Sequence, residues 1–163
     1  MTEREYNDGV SRWSDDVMRF AVRCGGSHAD SQDAVQEALM ALWTHRSQVQ
    51  PDKGKSYLLS VAYRHLMSAF RHRRVVQEHA AGLADDLSRP PDERFDLSEA
   101  IESSMQTLPE VQRAILQLRD VEGYSYREIG ETLQLSDDRV QVYLFRARVA
   151  MRKQLIKLGY GND

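Results

Sequence analysis

Internal disulfides are excluded at once, because the 163-residue chain has a single cysteine, Cys24, and one thiol cannot close a bridge within the chain. That usage fits a reducing compartment. Long apolar runs are also missing. No stretch approaches the ~18 consecutive apolar residues of a membrane span. The opening residues, MTEREYNDGVSRW, lack the apolar h-region of a signal peptide. The sequence therefore reads as soluble and cytoplasmic, with no membrane insertion. Prolines number four, three of them between Pro90 and Pro109, and β-branched runs are scarce. Leu, Ala, Arg, Glu and Gln abound instead, which favours helix. His28, His45, His65, His72 and His79 are scattered, with neither HExxH nor Cys/His ligand spacing. Phosphate loops and nucleophile elbows are absent too. No metal site, no cofactor and no catalytic residue is expected, and the chain does not read as an enzyme.

Acidic residues are not scarce overall, since net charge is -3 and the pI is about 6.0. They are missing locally. From Arg139 to Tyr160 there is no Asp or Glu, while Arg139, Arg146, Arg148, Arg152, Lys153 and Lys157 all fall there. Lys53 to Val76 is equally free of acids and holds Lys53, Lys55, Arg64, Arg71, Arg73 and Arg74. Any affinity for a polyanion must come from this placement of charge, not from its total.

The pattern along the chain predicts an all-α protein of two small helical domains, a three- to four-helix bundle and a four-helix domain, joined by a flexible linker. Over residues 7–79 three helices are expected. Trp13, Val17, Phe20, Ala21 and Cys24 recur at helical spacing and stop at Gly25-Gly26. A second helix starting near Asp30 or Ser31 carries Ala34, Val35, Ala38, Leu39, Leu42 and Trp43 on a broad apolar face. After a turn at Pro51–Gly54, a third runs from about Ser56 to His79, with Leu58, Val61, Ala62, His65, Leu66, Ala69 and Phe70 on one side. Residues 80–97 are acidic, Pro-containing and aperiodic, as a linker is. Helical spacing resumes over 98–160, through Ile101, Met105 and Leu108 and then Val111, Ala114, Ile115 and Leu118, until Gly123.

Ser125, followed at three residues by Glu128, matches a capping box that opens a short helix with Ile129 and Leu133 inward. Gln134-Leu135 form a tight turn. Ser136 then caps a long helix, with Asp137 and Asp138 placed on its positive N-terminus. Two helices joined this way describe a helix-turn-helix. Val140, Leu144, Ala147, Met151, Leu155 and Leu158 form one stripe of the second helix. Arg139, Tyr143, Arg146, Lys153 and Lys157 form another, turned by about 100°. The expected docking puts the start of that helix in the major groove, with Ser136, Arg139, Gln141 and Tyr143 as candidates for base edges. Arg146, Arg148, Arg152 and Lys153 are expected on phosphates. In the first half, Tyr57 and Tyr63 are candidates to stack on unpaired bases, and Arg64, Arg71, Arg73 and Arg74 to hold their backbone.

GYSYREIGETLQLSDDRVQVYLFRARVAMRKQL and the upstream TLPEVQRAILQLRDVEGYS resemble region 4 of the extracytoplasmic-function (ECF) sigma factors, members of the sigma-70 family. DSQDAVQEALMALW and SYLLSVAYRHLMSAFRHRR resemble region 2. The matches run in family order around a linker in the family's place. Three departures stand out: Tyr57 where the family has Trp, His65 and Ser68 near its usual Asn and Asp, and Gln134 where the turn usually has Gly. The resemblance implies a bacterial transcription initiation factor that binds core RNA polymerase and promoter DNA. Residues 98–160 would read the −35 element, and residues 7–79 would recognise and melt the −10 element. Asp33, Gln36 and Glu37 would bind polymerase. The resemblance further implies an anti-sigma factor as a partner and a monomer when free. The alternative, a stand-alone helix-turn-helix regulator, explains residues 111–158 but leaves Asp33, Gln36 and Glu37 without a role.

Overall fold

The computed structural model of the chain describes residues 1–79 and 96–161. Among them are seven α-helices and no strand. Helix α1 (Glu3–Arg23) begins four residues before the expected start. The cause is a capping box that periodicity does not reveal: Thr2 Oγ accepts from the Glu5 amide at 3.1 Å while the Thr2 amide donates to Glu5 at 2.7 Å. Val17, Phe20 and Ala21 are its buried stripe. Cys24 closes it, and Gly25 leaves it at φ 105°, a conformation open to glycine and strained for other residues. Helix α2 (His28–His45) also begins earlier than expected, because Ser27 supplies the cap through its hydroxyl, 3.1 Å from the Asp30 amide.

Ala34, Ala38 and Leu42 of α2 are fully buried, and Val35 and Leu39 pack against them. Trp43 departs from the expected core face and is 38% exposed. It follows Leu42 by one residue, which rotates it about 100° off the buried stripe. Its ring meets Tyr6 edge-on at 5.0 Å and lies under the Arg46 guanidinium at 3.8 Å. Two 3₁₀ turns, Arg46–Gln48 and Pro51–Lys53, lead into α3 (Gly54–His79). Leu58, Leu59, Ala62 and Leu66 bury it against α1 and α2. Val61, His65, Ala69 and Phe70, expected beside them, are only part-buried.

The second half starts with α4 (Leu97–Gln106), capped by Asp96. The expected linker lies outside the described residues up to position 95, while Asp96 and Leu97 already belong to this helix start. Helix α5 (Glu110–Leu116) follows Pro109 and runs into a π turn over Gln117–Val121. Helix α6 (Tyr126–Leu133) and helix α7 (Asp137–Lys157) complete it.

The two helical domains pack against each other, and their buried residues form one continuous cluster, from Val17 and Leu66 in the first half to Ile129 and Ala147 in the second. Polar contacts cross the seam as well. Ser56 donates to Tyr124 at 3.2 Å, Arg23 to Gln117 at 3.3 Å, and Arg113 to the Cys24 carbonyl at 3.4 Å. Burial pushes the Cys24 thiol well above its ordinary range, so this cysteine is a packing residue rather than a reactive one. No helix of the described residues is long and apolar enough to cross a membrane.

Candidate nucleic-acid interface

The helix-turn-helix is assembled from the residues that the sequence singles out. Ser125 Oγ accepts from the Glu128 amide at 3.1 Å, and the Ser125 amide donates to Glu128 at 3.2 Å. The bond from the Ser125 amide, helped by the Ser125 hydroxyl, holds the Glu128 carboxyl below its usual range. The turn is tight because Gln134 adopts the left-handed conformation at φ 59°, the one non-glycine residue with positive φ among the described residues. A non-glycine residue in that region is strained. What makes it tolerable is the packing around it. The Leu135 amide donates to the Gly130 carbonyl at 2.9 Å, and a Cβ on Gly130 would lie 2.5 Å from the Leu135 carbonyl oxygen. Gly130 is thus required so that the turn can fold back onto α6, a requirement invisible to a search for apolar spacing.

Ser136 Oγ then accepts from the Arg139 amide at 3.3 Å, with Asp137 and Asp138 in the first turn of α7. The cap occupies one of the two acceptor lone pairs of the Ser136 hydroxyl, which keeps its donor and the other lone pair for a base edge. Val140, Leu144 and Ala147 anchor α7 in the core. Met151 and Leu155 are part-buried, and Leu158, expected on the same stripe, is 37% exposed past the helix end. Arg139, Gln141, Arg146, Arg152 and Lys153 are exposed, and no ion pair restrains them among the described residues. Tyr143 is half-buried against the core. Arg148 is exposed but donates to Asp120 at 3.1 Å.

Sequence spacing missed one residue of this surface. Phe145 is 69% exposed, more than any other large apolar side chain described, with Val142 at 45% and Val149 at 38% on the same side of α7. The signal was present as an apolar i, i+3, i+7 set offset from the core stripe. A search for one apolar face reads past it.

The candidates on α3 have a different setting. Tyr57 is half-buried and its hydroxyl meets His45 Nδ1 at 3.1 Å. Tyr63 packs on the core; burial pushes its phenol up to about 12. Arg64 and Arg71 are exposed, with Arg64 also reaching back to the Ser60 carbonyl at 3.4 Å. Arg73 pairs with Asp30 and Arg74 with Glu110. The structure thus places all six on one helix, but among the described residues only Arg64 and Arg71 meet neither a carboxylate nor the core. Asp33, Gln36 and Glu37 form an exposed polar strip on α2, next to Met40, which is 66% exposed.

Comparison with known proteins joins these two surfaces. The family described as Sigma-70 region 2 matches residues 10–76, and Sigma-70, region 4 matches residues 98–151. The ECF RNA polymerase sigma factor SigE of Mycolicibacterium smegmatis is 27% identical over 161 residues, which is 93% of this chain and 62% of that protein. The probable RNA polymerase sigma factor RfaY of Xanthomonas campestris is 28% identical over 95% of this chain and 41% of its own length. The chain therefore spans less than two thirds of either relative. The ECF sigma factor SigM of Bacillus subtilis is 24% identical, over 93% of this chain and 94% of its own. In fold, the chain is similar to the sigma factor RpoE of Bartonella quintana, solved with the anti-sigma factor NepR, at TM-score 0.75 and 20% identity over 94% of this chain and 98% of that one. It is similar also to CnrH, solved with the cytosolic domain of CnrY, at TM-score 0.69 and 21% identity over 96% of this chain and 90% of that one.

Proposed function

The chain belongs to the sigma-70 family, and on that premise we propose that it is a transcription initiation factor of the ECF type, which binds core RNA polymerase and directs it to particular promoters. The observation that carries the reading is the pairing of two family regions in one chain and in family order. A stand-alone regulator needs only the second of them.

In this reading residues 98–160 bind the −35 element as duplex. The free cations of α7 supply the contacts: Arg139 and Gln141 at base edges, and Arg146, Arg152 and Lys153 on phosphates, with Arg148 joining them once it leaves Asp120. Phe145, with Val142 and Val149 beside it, offers the apolar surface suited to thymine methyl groups. Residues 7–79 bind the −10 element and the polymerase. Tyr57 and Tyr63 stack on unpaired bases, and Arg64, Arg71, Arg73 and Arg74 hold the strand. Asp33, Gln36 and Glu37, with Met40 and Trp43 beside them, form the polymerase-docking strip, a polar patch with an apolar centre of the kind that interfaces use. The protein acts in the cytoplasm, as a monomer when free, and carries out no covalent chemistry of its own. An anti-sigma partner is part of the proposal, supported by the structural relative RpoE, which was solved with the anti-sigma factor NepR.

Run-off transcription tests the proposal. Core polymerase is given a pool of genomic promoter fragments, with and without the protein. Discrete transcripts that need the protein are expected. No transcript together with no binding to core would leave the stand-alone regulator as the better account.

A further inference from the structure

His45 ends α2 and Tyr57 lies in the first turn of α3. The two 3₁₀ turns between them bring the pair together across twelve positions. The His45 ring is held first by its own helix. Its Nδ1 lies 2.9 Å from the Ala41 carbonyl oxygen, one turn back. A carbonyl oxygen only accepts, so Nδ1 carries a proton and donates. The negative end of α2 favours the same choice. The same Nδ1 lies 3.1 Å from the Tyr57 hydroxyl oxygen. With its proton in place it can only donate there too, so one N–H is shared between two oxygens and the phenol accepts. The phenol's own O–H is therefore not used by the pair, and the Tyr57 hydroxyl has no second partner among the described residues. The ring centroids are 6.4 Å apart at an interplanar angle of 46°. His45 thus meets Tyr57 at its oxygen and does not stack on its face.

Tyr57 rests on the core on one side and lines a cleft of about 410 Å³ together with Gln48, Gln50 and Lys53. We propose that His45 is a positioning residue for the opened −10 strand: it fixes the tilt of the Tyr57 ring for stacking on an unpaired base and leaves the phenol O–H to donate to an acceptor on the strand. The inference rests on the assignment of Tyr57 to the −10 element. It adds to that surface a residue of α2, which neither the charge nor the aromatic pattern of α3 contains. His45 itself touches no base. Its contribution is preorganisation: a ring already held loses less rotamer freedom when a base settles on it. The scheme needs no charge on His45, because Nδ1 carries its proton in the neutral tautomer set by Ala41 as well as in the imidazolium.

The test uses holoenzyme reconstituted from core polymerase and the full chain. The probe is a forked duplex carrying the −10 element of a promoter identified by run-off transcription, with the non-template strand unpaired and 2-aminopurine at each unpaired adenine in turn. Stacking on Tyr57 quenches the fluorophore, and titration gives the affinity. Tyr57→Ala should abolish the quench at one position and weaken binding by about tenfold or more, the worth of one stacked base. His45→Ala should weaken binding about threefold to tenfold, the worth of one hydrogen bond, and reduce the quench at that same position. Tyr57→Phe should lose at least as much, since it removes the phenol donor as well. The double variant His45→Ala/Tyr57→Phe should be no weaker than Tyr57→Phe alone. His45→Asn, whose amide N–H stands near the place of Nδ1, should recover most of the loss, a rescue that a merely structural role would not give. Losses that multiply in the double variant, or an unaltered His45→Ala beside a defective Tyr57→Ala, would overturn the positioning role and leave the −10 assignment standing. A Tyr57→Ala holoenzyme with full quench and affinity would overturn that assignment, and the proposal with it. Helical circular dichroism of each variant separates these outcomes from unfolding.

Discussion

Helices α3 and α7 are alike in sequence and opposite in situation. Both run through stretches without acidic residues, and both carry a set of arginines that the pattern assigns to nucleic acid. On α7 the set is exposed, and among the described residues only Arg148 is bound to a carboxylate. On α3, Lys55, Arg73 and Arg74 are each held by carboxylates, two of them from across the seam. Local charge composition therefore marks where a polyanion can bind. It does not say whether the site is open, because the carboxylates that cover α3 lie more than thirty positions away in sequence.

The comparison breaks most severely if the two helices do not share one core. Leu66→Ala on α3 and Leu144→Ala on α7 each empty a buried site and should cost about 2–5 kcal/mol. Since Leu66 and Leu144 belong to one cluster, either substitution should lower a single unfolding transition in calorimetry. Two separated transitions, each sensitive to one substitution alone, would mean two independent units. Next in size is Arg139→Ala. It should relax preference at one base position of the −35 element by about 1–3 kcal/mol while leaving single-strand binding unaltered, as read by fluorescence anisotropy on a panel of duplexes. Ser136→Ala removes the cap of α7 and should cost about 1 kcal/mol in thermal unfolding. Arg146→Ala is the gentlest on duplex binding. Affinity should drop alike for every sequence, and the slope of log K against log salt should shrink by about one contact.

A pH series sharpens the seam itself. Burial alone would lower the Lys55 ammonium, but its hydrogen bonds to Asp16 and Glu122 carry it above the ordinary range. The hydrogen bond from Lys55 holds Asp16 below its ordinary range. Glu110 would be pushed up by burial but is held below its ordinary range by the hydrogen bond from Arg74. The depressed carboxylates contribute stability above unfolded values of about 4, lost as pH falls through their lower folded ones. The raised ammonium contributes stability below an unfolded value of about 10.4, lost as pH rises through its higher folded one. Thermal midpoint should therefore be flat from about pH 5 to 9 and fall on both sides. A step near pH 6 or 7 would point to a histidine and contradict this account.

Much of the fold was legible because it rests on local signals. Ser125 with Glu128, Ser136 with its two aspartates, and the Val140–Leu144–Ala147 stripe each write their structure within a few residues. The starts of α1 and α2 were less so, since Thr2 and Ser27 act through single hydroxyls ahead of any apolar period. Trp43 shows the limit of reading a broad apolar face: one residue of rotation moves a ring from core to surface. Gly130 and Phe145 were missed for opposite reasons, one because its role is to have no side chain, the other because it is apolar and outside. The packing of the halves was not legible at all. It depends on Lys55, Arg74, Glu110 and Glu122 meeting in space.

The most direct test of the account is a footprint on one promoter identified by run-off transcription, comparing the free chain with the chain bound to core polymerase. The free chain should protect the upstream −35 duplex alone, weakly and with strong salt dependence, and the complex should protect both elements with the −10 strands parted. A free chain that binds the opened −10 strand as well as the complex does would contradict it.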